Sequence, residues 1–208
     1  MNNAITHPAI VPGGKTPTAR LLLLLVVWGF VVSLAGAFQL LSHLPPRVPP
    51  LLIVSLTVGF SIAVATVDWL KAAAAQLGVR GILSLHLVRF IGFYFLWLHA
   101  QGRLPAEFAE RAGWGDIVAA VGAVVLLSWP EGVGFRRALL AWTAFGIFDL
   151  LVALGTAGWL TITRPDSMIE VTKLPLTLVP LWIVPILLAS HIYLMRMQRR
   201  ATASFVGR

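Results

Sequence analysis

The 208-residue chain has no cysteine and little charge. Without thiols there are no disulfides, thiolate metal sites, iron–sulfur clusters or cysteine nucleophiles. Charged side chains make up 12% of the residues, about half the share of a soluble domain, while 58% are hydrophobic and the mean hydropathy is +0.87. So small a polar complement cannot wrap a water-facing surface, which excludes a soluble globular protein, and no acidic or Ser/Pro-rich tract supports a disordered one. Acidic residues are few, eight against 16 Lys and Arg, for a net charge of +8. No basic face exists beyond the termini and short loops, so these cations read as charges flanking membrane spans and not as a nucleic-acid surface. The Walker A, HExxH, GxSxG and EF-hand patterns are missing too, and the reading leans away from an enzyme.

What is present is a series of apolar runs, and a bilayer-spanning helix needs about 20 such residues. The first follows Arg20, from Leu21 to Leu41. The stretch from His43 to Pro50, with four prolines, reads as a stiff non-helical connector, because proline fixes φ and lacks the amide donor. A second run closes on Asp68-Trp69-Leu70-Lys71, and Ala72–Gly78 reads as a helical extension or loop before Arg80 opens the third. Beyond that span Pro105 suits a first helical turn, Glu107 and Arg111 are four apart, and Gly113 suits a stop, so a short interfacial helix is expected. The fourth span is then short unless residues from Ala112 onward extend it. Ser167 and Glu170 have capping-box spacing and would start a small helix ahead of the sixth span. The expectation is an all-α polytopic membrane helix bundle with six transmembrane helices, about 21–41, 51–70, 82–100, 114–129, 138–160 and 174–195. It forms a single transmembrane domain over 1–208, with the interfacial helix between spans three and four.

Lys15 and Arg20 ahead of a leucine run, followed by Ala35-Gly36-Ala37, also resemble a secretory signal with its cleavage site. The apolar run exceeds the roughly 7–15 residues of a signal core, which favours a retained span. Orientation follows from the cations: an inside N-terminus puts ten Lys and Arg on the cytoplasmic side and five outside, with Arg89 inside a span. Both termini are therefore expected in the cytoplasm.

An ionisable side chain within a bilayer points to function by default. His86, Arg89 and His99 fall in span three, Asp149 in span five and His191 in span six, while Asp68 and Asp116 sit at span ends. Asp149 lies about 18 Å along its helix, near the midplane. His86, Arg89 and His191 fall in the inner half, and together with Asp68 and Asp149 they are candidates for one polar pocket. His86 and Arg89 are three apart and share a helix face, whereas His99 lies on another. Plainer readings stand beside these: Asp116 as the N-cap of span four, Asp68 paired with Lys71 at the interface, His99 at the interface, and Arg89 reaching toward headgroups. Arg89 can also reach outward by about one turn, so an Arg89–Asp149 pair, or a pocket shared with His191, is expected to join spans three, five and six. Pro175, Pro180 and Pro185 recur every five residues in span six and should free the carbonyls of Leu176 and Leu181.

The segments Arg89-Phe90-Ile91-Gly92, Gly102-Arg103-Leu104-Pro105, Ala112-Gly113-Trp114-Gly115-Asp116, Gly146-Ile147-Phe148-Asp149-Leu150 and the proline-spaced run from Leu174 to His191 resemble a group of small, uncharacterised bacterial multi-pass membrane proteins, over about residues 85–197. The resemblance implies a bacterial inner-membrane protein of no stated activity and adds weight to Arg89, Asp116, Asp149 and His191. The function expected is binding of a small molecule, lipid or proton in an intramembrane pocket, or service as a subunit of a larger membrane assembly. No cofactor is required; the alternative is a redox protein with haem b on His86 and His191, or a metal on Asp149, His191 and His86. The expected partners are membrane lipids, with a second copy or a larger complex as a further option.

Overall fold

A computed structural model describes residues 16–206, with side chains through residue 199; Lys15, Arg208 and the side chain of Arg200, all counted above, lie outside it. Every regular element in the described part is helical. The main helices are α1 (Pro17–Ala37), α2 (Val48–Thr66), α3 (Asp68–Leu85), α4 (Gly92–Ala100), α5 (Ala106–Ser128), α6 (Val133–Thr163) and α7 (Val184–Val206). Six units are long and apolar enough to cross a membrane: α1, α2, the run Asp68–Ala100 that joins α3 to α4, α5, α6 and Val179–Arg199. The chain is an all-α polytopic membrane bundle.

Local chemistry explains the helix boundaries. Thr16 caps α1 by accepting from the Ala19 amide at 3.3 Å, with Pro17 opening the first turn. The proline-rich connector is shorter than expected, because α2 begins at Val48 and takes Pro49 and Pro50 into its first turn. Amides there have no intrahelical partner, so proline loses nothing. Asp68 and Lys71 open α3 and do not close α2; the chain is extended at Val67, and Lys71 Nζ sits 2.6 Å from Asp68 Oδ1. A positive φ of 64° at Gly78 bends α3. Gly113 does not stop a separate interfacial helix: α5 runs unbroken from Ala106, and the expected short helix is its first two turns. Ser167 is not a cap either. The turn Pro165–Thr172 forms, but the Ser167 hydroxyl donates back to the Arg164 carbonyl at 2.7 Å. The prolines of span six produce a wide turn over Val179–Ile183 before α7, and the Leu176 carbonyl accepts from the Val179 amide at 2.9 Å.

Apolar side chains cover the outside of the bundle, while the ionisable residues at the middle of the spans turn inward. Leu22, Val26 and Phe30 of α1, Leu51 and Val58 of α2, and Phe148 and Leu151 of α6 are exposed, whereas Arg89, His86 and His191 are fully buried. Hydroxyls along the helices turn back on their own chain, as Ser33 does to Gly29, Thr57 to Ile53 and Thr161 to Ala157. Lipid offers no partner, so such internal bonds are required. Helix α5 lies between α4 and α6, with α7 against α2 and α6, and α1 against α3. Two apolar clusters flank the middle of the bundle, and a third, of Leu150, Ile183, Val184, Leu187 and Leu188, packs α6 against the last span between them. Of the flanking pair, one lies near the α4–α5 and α6–α7 connections and gathers Phe95, Leu98, Phe108, Ala112, Leu160 and Met168. The other, toward the α5–α6 connection, gathers Ile82, Leu83, Ala123, Leu126, Leu139 and Leu194.

Candidate functional site

Between the two flanking clusters lies a polar stratum. Along α5 it falls after Ala112 and before Ala123, along α6 after Leu139 and before Leu160, and along the last span after Leu176 and before Leu194. Arg89 is its centre. The residues His86–Ile91 form a tight 3₁₀ turn between α3 and α4. Side chains three apart eclipse in that geometry, so His86 and Arg89 enter the interior together. Arg89 Nε donates to Asp116 Oδ1 on α5 at 2.7 Å, and Nη2 donates to Asp149 Oδ2 on α6. One guanidinium therefore ties three elements through two carboxylates on different helices. Asp116 and Asp149 are only 8% and 7% exposed. Charge-assisted bonds of this kind are about twice as strong as neutral ones, and removing one partner of a buried pair is costly.

The histidines form the adjoining part. His86 and His191 pack with ring centroids 4.3 Å apart, and Trp142 closes a three-ring cluster at 4.7 and 4.8 Å. Trp142 is fixed by its indole N–H, which donates to the Ala119 carbonyl at 2.8 Å. His86 Nε2 lies 2.9 Å from Ser190 Oγ, and the Ser190 hydroxyl is 2.7 Å from the Leu187 carbonyl. The serine proton goes to that carbonyl, so His86 Nε2 carries the hydrogen and Nδ1 is the bare nitrogen; the tautomer is assigned from this network. His86 Nδ1, both ring nitrogens of His191 and Arg89 Nη1 are buried without a hydrogen-bond partner.

Two glycines make room for this assembly. A Cβ at Gly115 would fall on the Asp149 carboxylate, and one at Gly146 would fall on the His191 ring with Arg89 Nη1 3.3 Å away. Gly146 and Asp149 are three apart on α6, so the notch and the carboxylate share one face.

The five candidates Arg89, Asp149, His191, His86 and Asp116 thus come together, and the expected Arg89–Asp149 pair forms. Asp116 is not an N-cap: α5 starts ten residues earlier, so no orphan amides await it and its side chain is free to meet Arg89. Asp68 lies outside the stratum, its side chain 98% exposed beside Lys71. His99 is also apart, with Nδ1 3.0 Å from the Leu104 carbonyl and Nε2 3.8 Å from Glu110. Trp142 and Ser190 carry no charge and gave no sequence signal, while Gly115 and Gly146 drew notice only as parts of the segments around Asp116 and Asp149. His86 and His191 meet ring against ring, and a porphyrin held between them would have to part their two elements. Among the described residues no three His, Asp or Glu side chains gather as a metal would need.

Two cavities approach the stratum. A narrow cleft of about 50 Å³ between α4, α5, α6 and the 176–187 segment has Arg89 and Asp116 in its wall and is otherwise apolar, with Phe95, Phe108, Leu150 and Leu187 among its lining. A larger one, about 330 Å³, lies between α2, α6 and the Pro165–Thr172 turn, with Ser42, Thr161, Asp166 and Thr172 as the polar part of its lining. Leu154, Ala157, Val171 and Pro180 line both, so the two are neighbours across a shared wall.

No curated protein and no solved structure matches the chain. A family model does, over residues 46–199, which include every residue of the polar stratum and of both cavities except Leu41, Ser42 and Leu44. The chain belongs to the family described as a domain of unknown function, DUF8737.

Proposed function

We propose that this is a bacterial inner-membrane protein, both termini cytoplasmic, that binds an elongated lipid-like molecule between its helices, alone or within a larger membrane assembly. The observation that carries this reading is the pair of adjoining cavities: a polar stretch of lining leads to apolar walls and then to the Arg89–Asp116 pair. The headgroup belongs at Thr161, Asp166 and Thr172, and the chain lies along Leu154, Ala157 and Pro180 of the larger cavity, where burial stabilises it by about 0.8 kcal/mol per methylene. Under this orientation the polar lining faces the outer leaflet, and lipid enters from that side.

Native mass spectrometry of the purified full-length protein tests the binding. Wild type should retain lipid, and Ala157→Phe or Leu154→Phe, which fill the shared wall, should lose it while keeping the melting temperature within a few degrees. Equal retention in all three, or none in wild type, contradicts the reading. For orientation, alkaline phosphatase fused after His43, Arg111 and Arg164 should be active, and fused after Lys71, Arg136 and Arg200 inactive; the reverse pattern overturns it. The alternative of haem b draws on the closeness of the buried His86 and His191. A haem Soret band in the purified protein, lost in His191→Ala, would replace the lipid reading with a redox one.

A further inference from the structure

We propose that Arg89, Asp116 and Asp149 form a proton-binding site in which one proton, held on the two carboxylates, makes the triad neutral within the membrane. The inference is independent of what occupies the cleft. It starts from a count of charges: one guanidinium, always protonated, faces two carboxylates. A residual negative charge in the bilayer interior costs several kcal/mol, so the second carboxylate needs a compensating cation.

The neighbours that might supply it can be named element by element. The His86–Ile91 turn contributes Arg89 and His86, α5 contributes Asp116, α6 contributes Asp149 and α7 contributes His191; the other buried polar residues described are threonines. His191 has no hydrogen-bond partner at either ring nitrogen, so as an imidazolium it would bury a cation with two idle donors. His86 already gives its one hydrogen to Ser190, and its other nitrogen faces no carboxylate partner. A metal cation fits poorly as well. Each carboxylate has one oxygen on Arg89, and Asp149 Oδ1 lies where a Gly115 Cβ would be, so no cage of about six oxygens surrounds a common point. A proton needs only one oxygen.

Arg89 Nη1 and His191 supply the second observation. Both are fully buried, both lack partners, and both face the Gly146 notch beside the carboxylates. A neutral imidazole offers one donor and one acceptor nitrogen, the two functions that passing a proton onward requires. Asp116 and Arg89 also line the cleft, so the site borders a cavity on that side. In binding, one carboxylate oxygen takes a proton from hydronium: one O–H bond forms on the aspartate, one O–H bond of hydronium breaks, and water leaves.

Infrared spectroscopy of the full chain in lipid nanodiscs at pH 7, with ¹³C-labelled aspartate, reads the carbonyl stretch of protonated aspartic acid directly. The expected signal is one protonated aspartate per chain in wild type, none in Asp116→Asn or Asp149→Asn, and two in Arg89→Gln. Absence of the band in wild type overturns the proposal without reference to any variant, as does its persistence in both asparagine variants. Adding sodium should leave the band unchanged; its loss would give the balancing role to a metal cation.

Discussion

Arg89 is held because two helices each offer it a carboxylate, and those carboxylates reach it because glycines stand where side chains would block them. The ionisable members of this set are legible in the sequence, since Arg, Asp and His inside apolar runs are rare enough to draw attention and Asp149 has few other acceptable states. Asp116 is harder to read. Its context, Gly113-Trp114-Gly115, looks like a helix boundary, and local propensity favours a cap there. Packing decides otherwise, for α5 continues because its Gly113 and Gly115 lie against α4 and Asp149. A direct consequence concerns Gly115. Gly115→Ala should displace the Asp149 carboxylate and lower stability by about 1–3 kcal/mol, the usual cost of overpacking. Gly155→Ala on α6, where nothing lies within 4 Å, should be neutral or stabilising by up to about 1 kcal/mol. Thermal unfolding in detergent compares the two, and equal losses would mean that the close approach at Gly115 has no energetic weight.

At the scale of elements, run length locates the spans, but their ends depend on chemistry that hydropathy does not see. Prolines that read as a connector sit harmlessly in the first turn of α2, and a capping-box spacing at Ser167 and Glu170 serves a different purpose. Glu170 is a clamp: it lies 2.8 Å from Lys173 Nζ and 2.8 Å from Arg103 Nη2, tying the α6–α7 connection to the α4–α5 connection. Arg164 and Glu107 make a parallel tie at 2.7 Å. The hydrogen bond from Lys173 holds the Glu170 carboxyl below its usual range; partial burial opposes this, and Arg103 adds to the lowering. A lowered carboxylate contributes stability that is present above its unfolded pKa and lost as pH falls through the folded one. The melting temperature of wild type should therefore exceed that of Glu170→Gln at neutral pH, and the difference should shrink as the pH falls below the ordinary glutamate value and vanish below the lowered folded-state one. A difference that persists into strong acid would show that the clamp is not electrostatic.

For the whole molecule, an apolar exterior, two apolar clusters and a polar stratum between them form one arrangement. Six spans follow from composition and run length, but which helices touch does not: the sequence says that Arg89 and Asp149 need partners, not that α5 passes between α4 and α6 and brings Asp116 as a second one. The central claim is that both carboxylates serve the same guanidinium and so hold the bundle at its middle. A double-mutant cycle on Asp116→Asn and Asp149→Asn, followed by thermal unfolding of the purified protein, tests this most directly. Each single change should cost about 1 kcal/mol, because asparagine still accepts a hydrogen bond and one carboxylate remains for Arg89. The double variant leaves a buried guanidinium without a counter-charge and should lose about 3–5 kcal/mol, more than the two single losses together. A double loss equal to the sum of the single ones would contradict the account.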